Sequence, residues 1–133
     1  MKAVTICQPY PHLIIIGEKP IENRTWSTPY RGPLAIHAGK SRAWLGDGDA
    51  ERYPSMVFGA FVGTANLVAC LYLDSPIAWP NRYAHLHDHP HANGPYCWVL
   101  ENVRSLKVPI LCKGALGLWT VPIEIERRIQ EAA

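Results

Sequence analysis

The chain is organised around a stretch that starts with Gly17-Glu18-Lys19-Pro20-Ile21-Glu22-Asn23-Arg24-Thr25-Trp26 and ends with His37-Ala38-Gly39-Lys40. Between these two segments lies the sequence Tyr30-Arg31-Gly32-Pro33. Charged side chains and a histidine are packed here between short apolar runs. Because chargeable groups are costly to hold beside a core unless they share a site, we expect residues 17–40 to carry the function.

The composition of the whole chain limits what can surround this stretch. The chain has 133 residues, of which 48% are hydrophobic and 18% are charged, as is typical of a compact globular protein rather than a disordered one. With 13 basic and 11 acidic residues, it has no strongly basic coat, and nucleic-acid binding would have to be local. The sequence contains no linker, repeat or low-complexity tract, so we predict a single domain over residues 1–133.

Cysteine usage and the N-terminal sequence indicate the compartment. The 4 cysteines form no Cys-x-x-Cys pair and lie in or beside apolar runs, which is typical of reduced, buried thiols in a cytosolic protein. The N-terminus does not resemble a signal peptide, and the apolar runs are too short to span a membrane. We expect a cytoplasmic protein with no membrane contact and no cofactor; its oligomeric state stays open.

Hydrophobic patterning on both sides of residues 17–40 predicts a mixed fold. A strand over residues 2–7 leads into a helix over residues 9–16, which Gln8-Pro9 begins and Gly17 ends. The longest β-rich run, residues 58–73, contains internal glycines, which indicates a strongly curved strand. The other predicted elements are strands over residues 19–26, 34–38, 96–103, 103–108 and 116–121, short helical stretches over residues 43–45 and 49–53, and a helix over residues 122–133, with residues 109–114 irregular. This order predicts an α+β fold, a small mixed β-barrel with short helices closing its ends.

Alternation along residues 19–26 brings three charged side chains together. Glu22 and Arg24 share one face of the predicted strand, with Lys19 at its start and Trp26 next in line. A carboxylate beside two cations stays ionised, while a neighbouring guanidinium lowers the proton affinity of a lysine. Such a group suits a general base, or a receptor for a planar polar ligand beside an aromatic ring. The alternative is a solvated edge strand with ordinary ion pairs of little energetic weight.

Two further positions are candidates on side-chain chemistry. His37 ends a predicted strand before a glycine, and the nearby Lys40 and Arg42 favour an anion such as phosphate. A structural histidine is the alternative. Glu101 falls on an otherwise apolar face of the strand over residues 96–103, where a carboxylate needs a partner; Lys19 or Arg24 across the barrel would provide one. Otherwise Glu101 is a strand-end glutamate that reaches solvent.

Residues 74–94 form a polar, proline-punctuated excursion that contains four alternating histidines: His85, His87, His89 and His91. In an extended segment these side chains would project to one side and could gather metal ligands. Pro90 breaks the regularity, however, and the spacing matches no zinc motif with cysteine partners. We therefore predict no native metal site and regard adventitious metal binding as the better explanation.

The order and spacing of these pieces resemble the ASCH domain family of the PUA-like superfamily. The resemblance is carried by Gln8-Pro9, Gly17-Glu18-Lys19, Ile21-Glu22-Asn23-Arg24-Thr25-Trp26, Tyr30-Arg31-Gly32-Pro33 and Ile36-His37-Ala38-Gly39-Lys40. The later segments Gly94-Pro95-Tyr96-Cys97-Trp98-Val99-Leu100-Glu101-Asn102-Val103 and Gly114-Ala115-Leu116-Gly117-Leu118-Trp119 are similar to the strands that close that fold. The resemblance implies a PUA-like β-barrel beside a cleft that binds RNA or modified nucleobases, with residues 17–40 as one wall.

Carried over by position, the resemblance places Lys19, Glu22 and Arg24 in the cleft. Some ASCH-like proteins are amidohydrolases that remove an acyl group from acetylated cytidine with a lysine, a threonine nucleophile three residues later and a distant glutamate. This chain has Glu22 at the threonine position, so that nucleophile is missing, although Thr25 lies close by. Other members are proposed ribonucleases, which need a base and a phosphate clamp.

The leading hypothesis is an RNA- or nucleotide-binding module with a charged cleft for a nucleobase and phosphate. An aromatic ring (Trp26, Tyr96 or Trp98) would stack on the base. Phosphate would be held by Arg24, Arg31 and Lys40, base edges would be read by Glu22 and Gln8, and His37 would lie nearby. The alternative is a hydrolase acting on RNA or on a modified nucleoside, with Lys19, Glu22 and Glu101 as catalytic groups. A protein-interaction domain is disfavoured by the clustering within residues 17–40.

Overall fold

A computed structural model of the chain describes residues 1–132. It has one six-stranded sheet in the order β2-β5-β4-β3-β1-β6. The strands are β1 (Lys2–Ile6), β2 (Ile21–Arg24), β3 (Gly32–Ala38), β4 (Ala60–Tyr72), β5 (Tyr96–Leu111) and β6 (Leu118–Thr120). The helices are α1 (Tyr10–Ile15), α2 (Asp49–Arg52) and α3 (Ile123–Ala132), and two 3₁₀ segments cover Pro76–Ala78 and Asn81–Leu86.

The sheet is mixed and curls into a half-barrel. Strand β1 runs parallel to β3, whereas all other neighbouring pairs are antiparallel. Register shifts interrupt the pairing of β4 with both β3 and β5, and such irregularities increase the local bend and twist. A Cβ at Gly63, at one of these shifts, would collide with Ile15 Cδ1 and the Arg104 carbonyl. Glycine at this position therefore lets α1 pack directly against the bend of β4.

The core has three parts. The largest lies between α1 and the concave face of the sheet and is built from Val4, Ile14, Leu34, Ile36, Leu67 and Trp98. A second part joins α3 to the far ends of β4 and β5 through Phe61, Leu106, Ile110 and Ile129. A third part packs Ile21, at the start of β2, against Trp79 and Tyr83 of the 74–94 excursion. Because apolar burial is the main source of folding free energy, this third part fixes β2 in place.

The predicted fold class is confirmed: the architecture is α+β, the run over residues 58–73 is one long bent strand, and short helices pack on the sheet. One prediction of irregular structure is wrong, since β5 continues through Pro109 to Leu111. Ile110 and Leu111 pair with Phe61 and Ala60 of β4, and this pairing carries the strand across the proline. In the described part of the chain, no helix combines the length and apolar character needed to cross a membrane.

Of the two short helical stretches predicted from the sequence, only the second forms a helix. Residues 43–45 form only a turn, in which the Ser41 hydroxyl accepts a hydrogen bond from the Ala43 amide. Helix α2 does form, and its N-terminal cap position is occupied by Gly48, with φ of 83°, rather than by Asp49. The Asp49 carboxylate instead accepts a hydrogen bond from the Gly46 amide and closes the preceding loop.

Candidate functional site

The charged residues of the 17–40 stretch are positioned by the end of α1 and by β2. The backbone amides of Glu18 and Lys19 both donate to the Leu13 carbonyl, so the helix end fixes where the Lys19 side chain begins. In β2, Glu22 lies opposite Trp98 of β5. The alternation predicted from sequence therefore occurs, and it brings Glu22 and Arg24 to the same side of the strand.

Lys19, Glu22 and Arg24 form a buried group that we call the ion cluster. Lys19 Nζ lies 3.6 Å from Glu22 Oε1, and Arg24 Nη2 lies 2.9 Å from Glu22 Oε2. Arg24 Nη2 also donates to the Thr5 carbonyl at 2.9 Å. Lys19 is only 3% exposed and Glu22 only 6%. Two cations thus share one carboxylate, which leaves a surplus positive charge in a poorly hydrated place.

Burial shifts the proton affinities within the ion cluster. Desolvation lowers the pKa of Lys19, although Glu22 opposes that shift. Desolvation also raises the pKa of Glu22, against the opposing effects of Arg24 and Lys19. The two shifts move the pKa of the amine and that of the carboxyl towards each other, because burial disfavours the charged form of each group.

Arg24 has a hydrogen-bond donor without an acceptor. Its Nε is buried and finds no partner among residues 1–132. An unpaired buried donor costs free energy, and the cost is higher for a charged group. An acceptor atom on a bound molecule would satisfy this donor.

The ion cluster opens into a cavity of about 410 Å³, which we call the first cavity. This volume lies within the ~300–1,000 Å³ typical of small-molecule sites. The cavity is lined by Thr5, Ile6, Cys7, Tyr10, Lys19, Glu22, Asn23, Arg24, Trp44 and Asn93. The rings of Tyr10 and Trp44 lie 6.5 Å apart at an interplanar angle of 60°. Lys19 Nζ is 5.3 Å from the centre of the Tyr10 ring, so aromatic and cationic groups meet in one wall.

Asn23 ties the 74–94 excursion to this wall. Its Nδ2 donates to the His91 carbonyl at 2.8 Å, and its Oδ1 accepts from the amides of Asn93 and Gly94 at 3.0 and 2.9 Å. These bonds bring Asn93 to the first cavity. Sequence reasoning missed both asparagines, and the signal that could have found Asn23 is an amide between two charged residues of a short strand.

The aromatic residues at the first cavity differ from those predicted. Trp98 is 0% exposed, so no face of its ring is open to a ligand, and the prediction that it stacks on a base is corrected. Trp26 is 36% exposed but packs edge-on against Trp98, with centroids 4.9 Å apart, and Tyr96 packs against Tyr72. Tyr10 and Trp44 were missed because α1 and the loop after β3 approach β2 only in the folded chain.

His37 belongs to a separate, neutral network. Its Nε2 lies 2.7 Å from the Cys112 carbonyl, which can only accept, and its Nδ1 lies 3.2 Å from the Thr5 hydroxyl. The same hydroxyl accepts from Trp119 Nε1 and the Ala115 amide, so it donates its one hydrogen to His37. Burial lowers the pKa of His37 and favours this neutral form. We call this group the histidine network; it leaves no nitrogen of His37 free for a ligand.

Gln8 has a similar structural role. Its Nε2 donates to the Val57 carbonyl at 2.8 Å, and its Oε1 accepts from the His12 amide at 3.1 Å. The side chain is buried outside the first cavity and fixes the first turn of α1 to the chain before β4. Because Gln8 does not line the first cavity, it does not reach the edge of a base held there, and its predicted role is corrected accordingly.

Three other predicted residues lie away from the ion cluster. The predicted pairing of Glu101 with Lys19 or Arg24 is wrong, because its side chain is 43% exposed and its partner is Arg82, 3.7 Å away. Arg31 donates to the carbonyls of Thr28 and Tyr30 and braces the turn before β3. Lys40 is exposed and lines another cavity together with His37.

The four histidines do not share one side of an extended segment, since they fall in a 3₁₀ segment and turns. His87 Nε2 donates to the Leu73 carbonyl, and its ring packs edge-on against Trp79. Within residues 1–132, no three His, Cys, Asp or Glu side chains are grouped as metal ligands would be. His87 therefore contributes to the packing of this excursion.

Comparisons with known proteins agree with this architecture. The family profile of the ASCH domain matches residues 4–110. Human Activating signal cointegrator 1 is 24% identical in an alignment 140 residues long, which covers 93% of this chain but only 23% of that protein. The chain thus spans less than a quarter of that relative.

Solved structures show the same fold. The crystal structure of an ASCH protein from Zymomonas mobilis superposes with a TM-score of 0.58 at 12% identity, covering 98% of this chain and 93% of the other. A single-substitution variant of it gives the same TM-score over 96% of its chain. Since the family profile matches well over half of its length, the chain belongs to the ASCH domain family.

Proposed function

We propose that the protein binds single-stranded RNA, or a nucleotide derived from it, by accepting one nucleobase into the first cavity. The observation that carries this proposal is the surplus positive charge of the ion cluster, buried in the wall of a cavity with two aromatic rings. Polar atoms in that wall can read a base edge, and the charge attracts a polyanion.

The aromatic rings suit a single-stranded ligand. Base–aromatic stacking needs an unstacked base, and each stack contributes ~1–3 kcal/mol. Tyr10 and Trp44 are inclined to each other by 60°, so a base that stacks on one ring meets the other at its edge. Trp44 is highly exposed, which leaves its faces open to a ligand.

The charge distribution favours a short ligand. The chain carries a formal net charge of only +2, so a long array of phosphate contacts is not available to it. RNA affinity should accordingly depend on a few local cations and fall only moderately with salt. Membership of the ASCH family supports the same proposal, through the RNA or modified nucleobases that the resemblance implies as ligands.

A hydrolase acting on RNA or a modified nucleoside is the second candidate, and the approach of the Lys19 and Glu22 pKa values favours it. In such a reaction the Glu22 carboxylate would take a proton from water as that water attacks, and the Lys19 ammonium would protonate the leaving group. Water is the nucleophile here because Glu22 stands where the threonine of the amidohydrolases would be. Thr25 is exposed and does not line the first cavity.

Fluorescence anisotropy with labelled single-stranded RNA tests the binding proposal. Arg24→Ala and Lys19→Ala should each weaken binding about tenfold, the effect of losing one charge-assisted contact. Arg127→Ala is the matched control, since it removes an exposed cation on α3 that is absent from the first cavity. Equal affinities for all four proteins would refute the proposal.

The same proteins separate binding from turnover. Labelled RNA and a panel of acylated nucleosides are incubated with wild type, Lys19→Ala and Glu22→Ala, and the products are separated. Product formation by the wild type that both substitutions abolish would establish the hydrolase. Binding without product formation would leave the binding module as the function.

A further inference from the structure

A second, larger cavity adjoins the first. Its volume is about 780 Å³, and it shares Thr5 with the first cavity. Arg24 of the ion cluster donates to the Thr5 carbonyl, whereas His37 bonds to the Thr5 hydroxyl. The two cavities therefore meet at this residue of β1, so a ligand longer than one nucleotide can extend from the first cavity past Thr5 towards the second.

The second cavity has cations without counter-ions. Lys40 and Lys113 are exposed and line it, and its lining includes no acidic side chain. Within the described chain, neither lysine forms an ion pair. Lysine is a common phosphate-binding residue because its ammonium acts as a compact charge on a flexible stem.

Glycines shape this cavity. A Cβ at Gly59, where φ is +68°, would lie 3.1 Å from Lys40 Cε, so the absence of a side chain makes room for the lysine stem. A Cβ at Gly114 would lie 2.8 Å from Thr5 Oγ1 and 2.9 Å from His37 Cε1. The backbone at Gly114 thus packs directly against the histidine network, and His37 lines the cavity together with the two lysines.

We infer that the second cavity receives the phosphodiester group next to the base held in the first cavity. The ligand is then a strand of at least two nucleotides rather than a free nucleoside. This inference rests on the proposed function, and it adds Lys113, on the segment after β5, to the residues that contact RNA. Lys40 and Lys113 supply the charge, while the neutral His37 contributes only shape.

The test compares ribonucleosides with matched dinucleoside phosphates as competitors of labelled single-stranded RNA. The variants are Lys40→Ala/Lys113→Ala and, as control with the same loss of charge, Arg127→Ala/Arg128→Ala on α3. The lysine double variant should bind dinucleotides and RNA at least tenfold more weakly and bind nucleosides like wild type. Its slope of log affinity against log salt should also become shallower by about 0.7, the contribution of the one phosphate contact that is lost from a single strand.

The outcomes separate this inference from the proposed function. If Arg24→Ala weakens RNA binding but the lysine double variant does not, the inference about the second cavity is overturned and the proposed function stands. RNA binding that survives both Arg24→Ala and Lys19→Ala would overturn the proposed function. An equal loss of nucleoside and dinucleotide binding in the lysine double variant would also overturn the inference, because a phosphate subsite must distinguish them. Lys113→Glu, a charge reversal on an exposed residue, should weaken dinucleotide binding further than Lys113→Ala.

Discussion

Two buried polar groups meet at Thr5, and they differ in whether their hydrogen bonds and charges are balanced within the protein. In the histidine network, Nε2 and Nδ1 of His37 and the Thr5 hydroxyl all have hydrogen-bond partners, and the network carries no charge. In the ion cluster, two cations share one carboxylate, and Arg24 Nε has no partner. One group is complete within the protein, whereas the other is not.

The difference separates a polar group that is explained by the fold alone from one that we propose to face a ligand. Buried polar atoms are nearly always hydrogen-bonded, since leaving one unpaired costs ~1–3 kcal/mol. A satisfied network such as that of His37 therefore needs no ligand to explain it. The ion cluster retains an unpaired donor and a surplus charge beside a cavity, which is what a binding site for an anionic or acceptor-rich molecule requires.

The largest expected effect is a loss of stability when the charge balance of the ion cluster is disturbed. Glu22→Gln keeps the shape of the side chain but leaves Lys19 and Arg24 without a counter-charge. Breaking a buried ion pair by removing one partner typically costs ~3–5 kcal/mol. Urea denaturation followed by circular dichroism should show a decrease of that size in the free energy of unfolding. A decrease below ~1 kcal/mol would mean that Glu22 does not hold the two cations together.

Substitutions in the histidine network should lower the free energy of unfolding by less than Glu22→Gln does, and only when they remove its hydrogen bonds. His37→Leu preserves an apolar volume but leaves the Thr5 hydroxyl and the Cys112 carbonyl unpaired, at a cost of ~2–3 kcal/mol. His37→Gln keeps a neutral donor and acceptor and should recover part of that loss. If both variants were equally destabilised, packing rather than hydrogen bonding would explain the role of His37.

The pH dependence of stability provides a second measure of the same network. Burial lowers the pKa of His37 below its ordinary 6.5, so on acidification the unfolded chain binds a proton before the folded protein does. Stability contributed by the neutral ring is thus present above about pH 6.5 and is lost as pH falls towards the lower folded pKa. His37→Gln should therefore lose less unfolding free energy than wild type between about pH 7 and pH 5.

The difference between these two groups explains how far the sequence could predict the site. Local alternation was enough to place Glu22 and Arg24 together, because residues two apart in a strand share a face. Glycine spacing was enough to predict the bend in β4. Each of these two signals lies within a single segment of the chain and needs no contact with a distant one.

What could not be predicted depends on contacts between distant segments. His37 and Lys40, which are close in sequence, line the same cavity. Only the fold shows that His37 bonds to Cys112, 75 positions away. Tyr10 and Trp44 enter the first cavity from elements on either side of β3. The residue pattern around them, an apolar helix face and a glycine-rich loop, has no feature that indicates a ligand.

Glu101 gives the smallest expected effect and the sharpest contrast with Glu22. Both are strand glutamates paired with arginine, but Glu22 is 6% exposed whereas the Glu101 side chain is 43% exposed and its partner Arg82 is 69% exposed. Solvent screens such a pair, so Glu101→Gln should change the free energy of unfolding by less than ~0.5 kcal/mol. RNA affinity and any turnover should also stay at the wild-type level, because the first cavity does not include Glu101. Loss of turnover in Glu101→Gln would instead support the catalytic role predicted from its place in the sequence, and would require the Glu101 side chain to leave Arg82 and reach the ion cluster when ligand is bound.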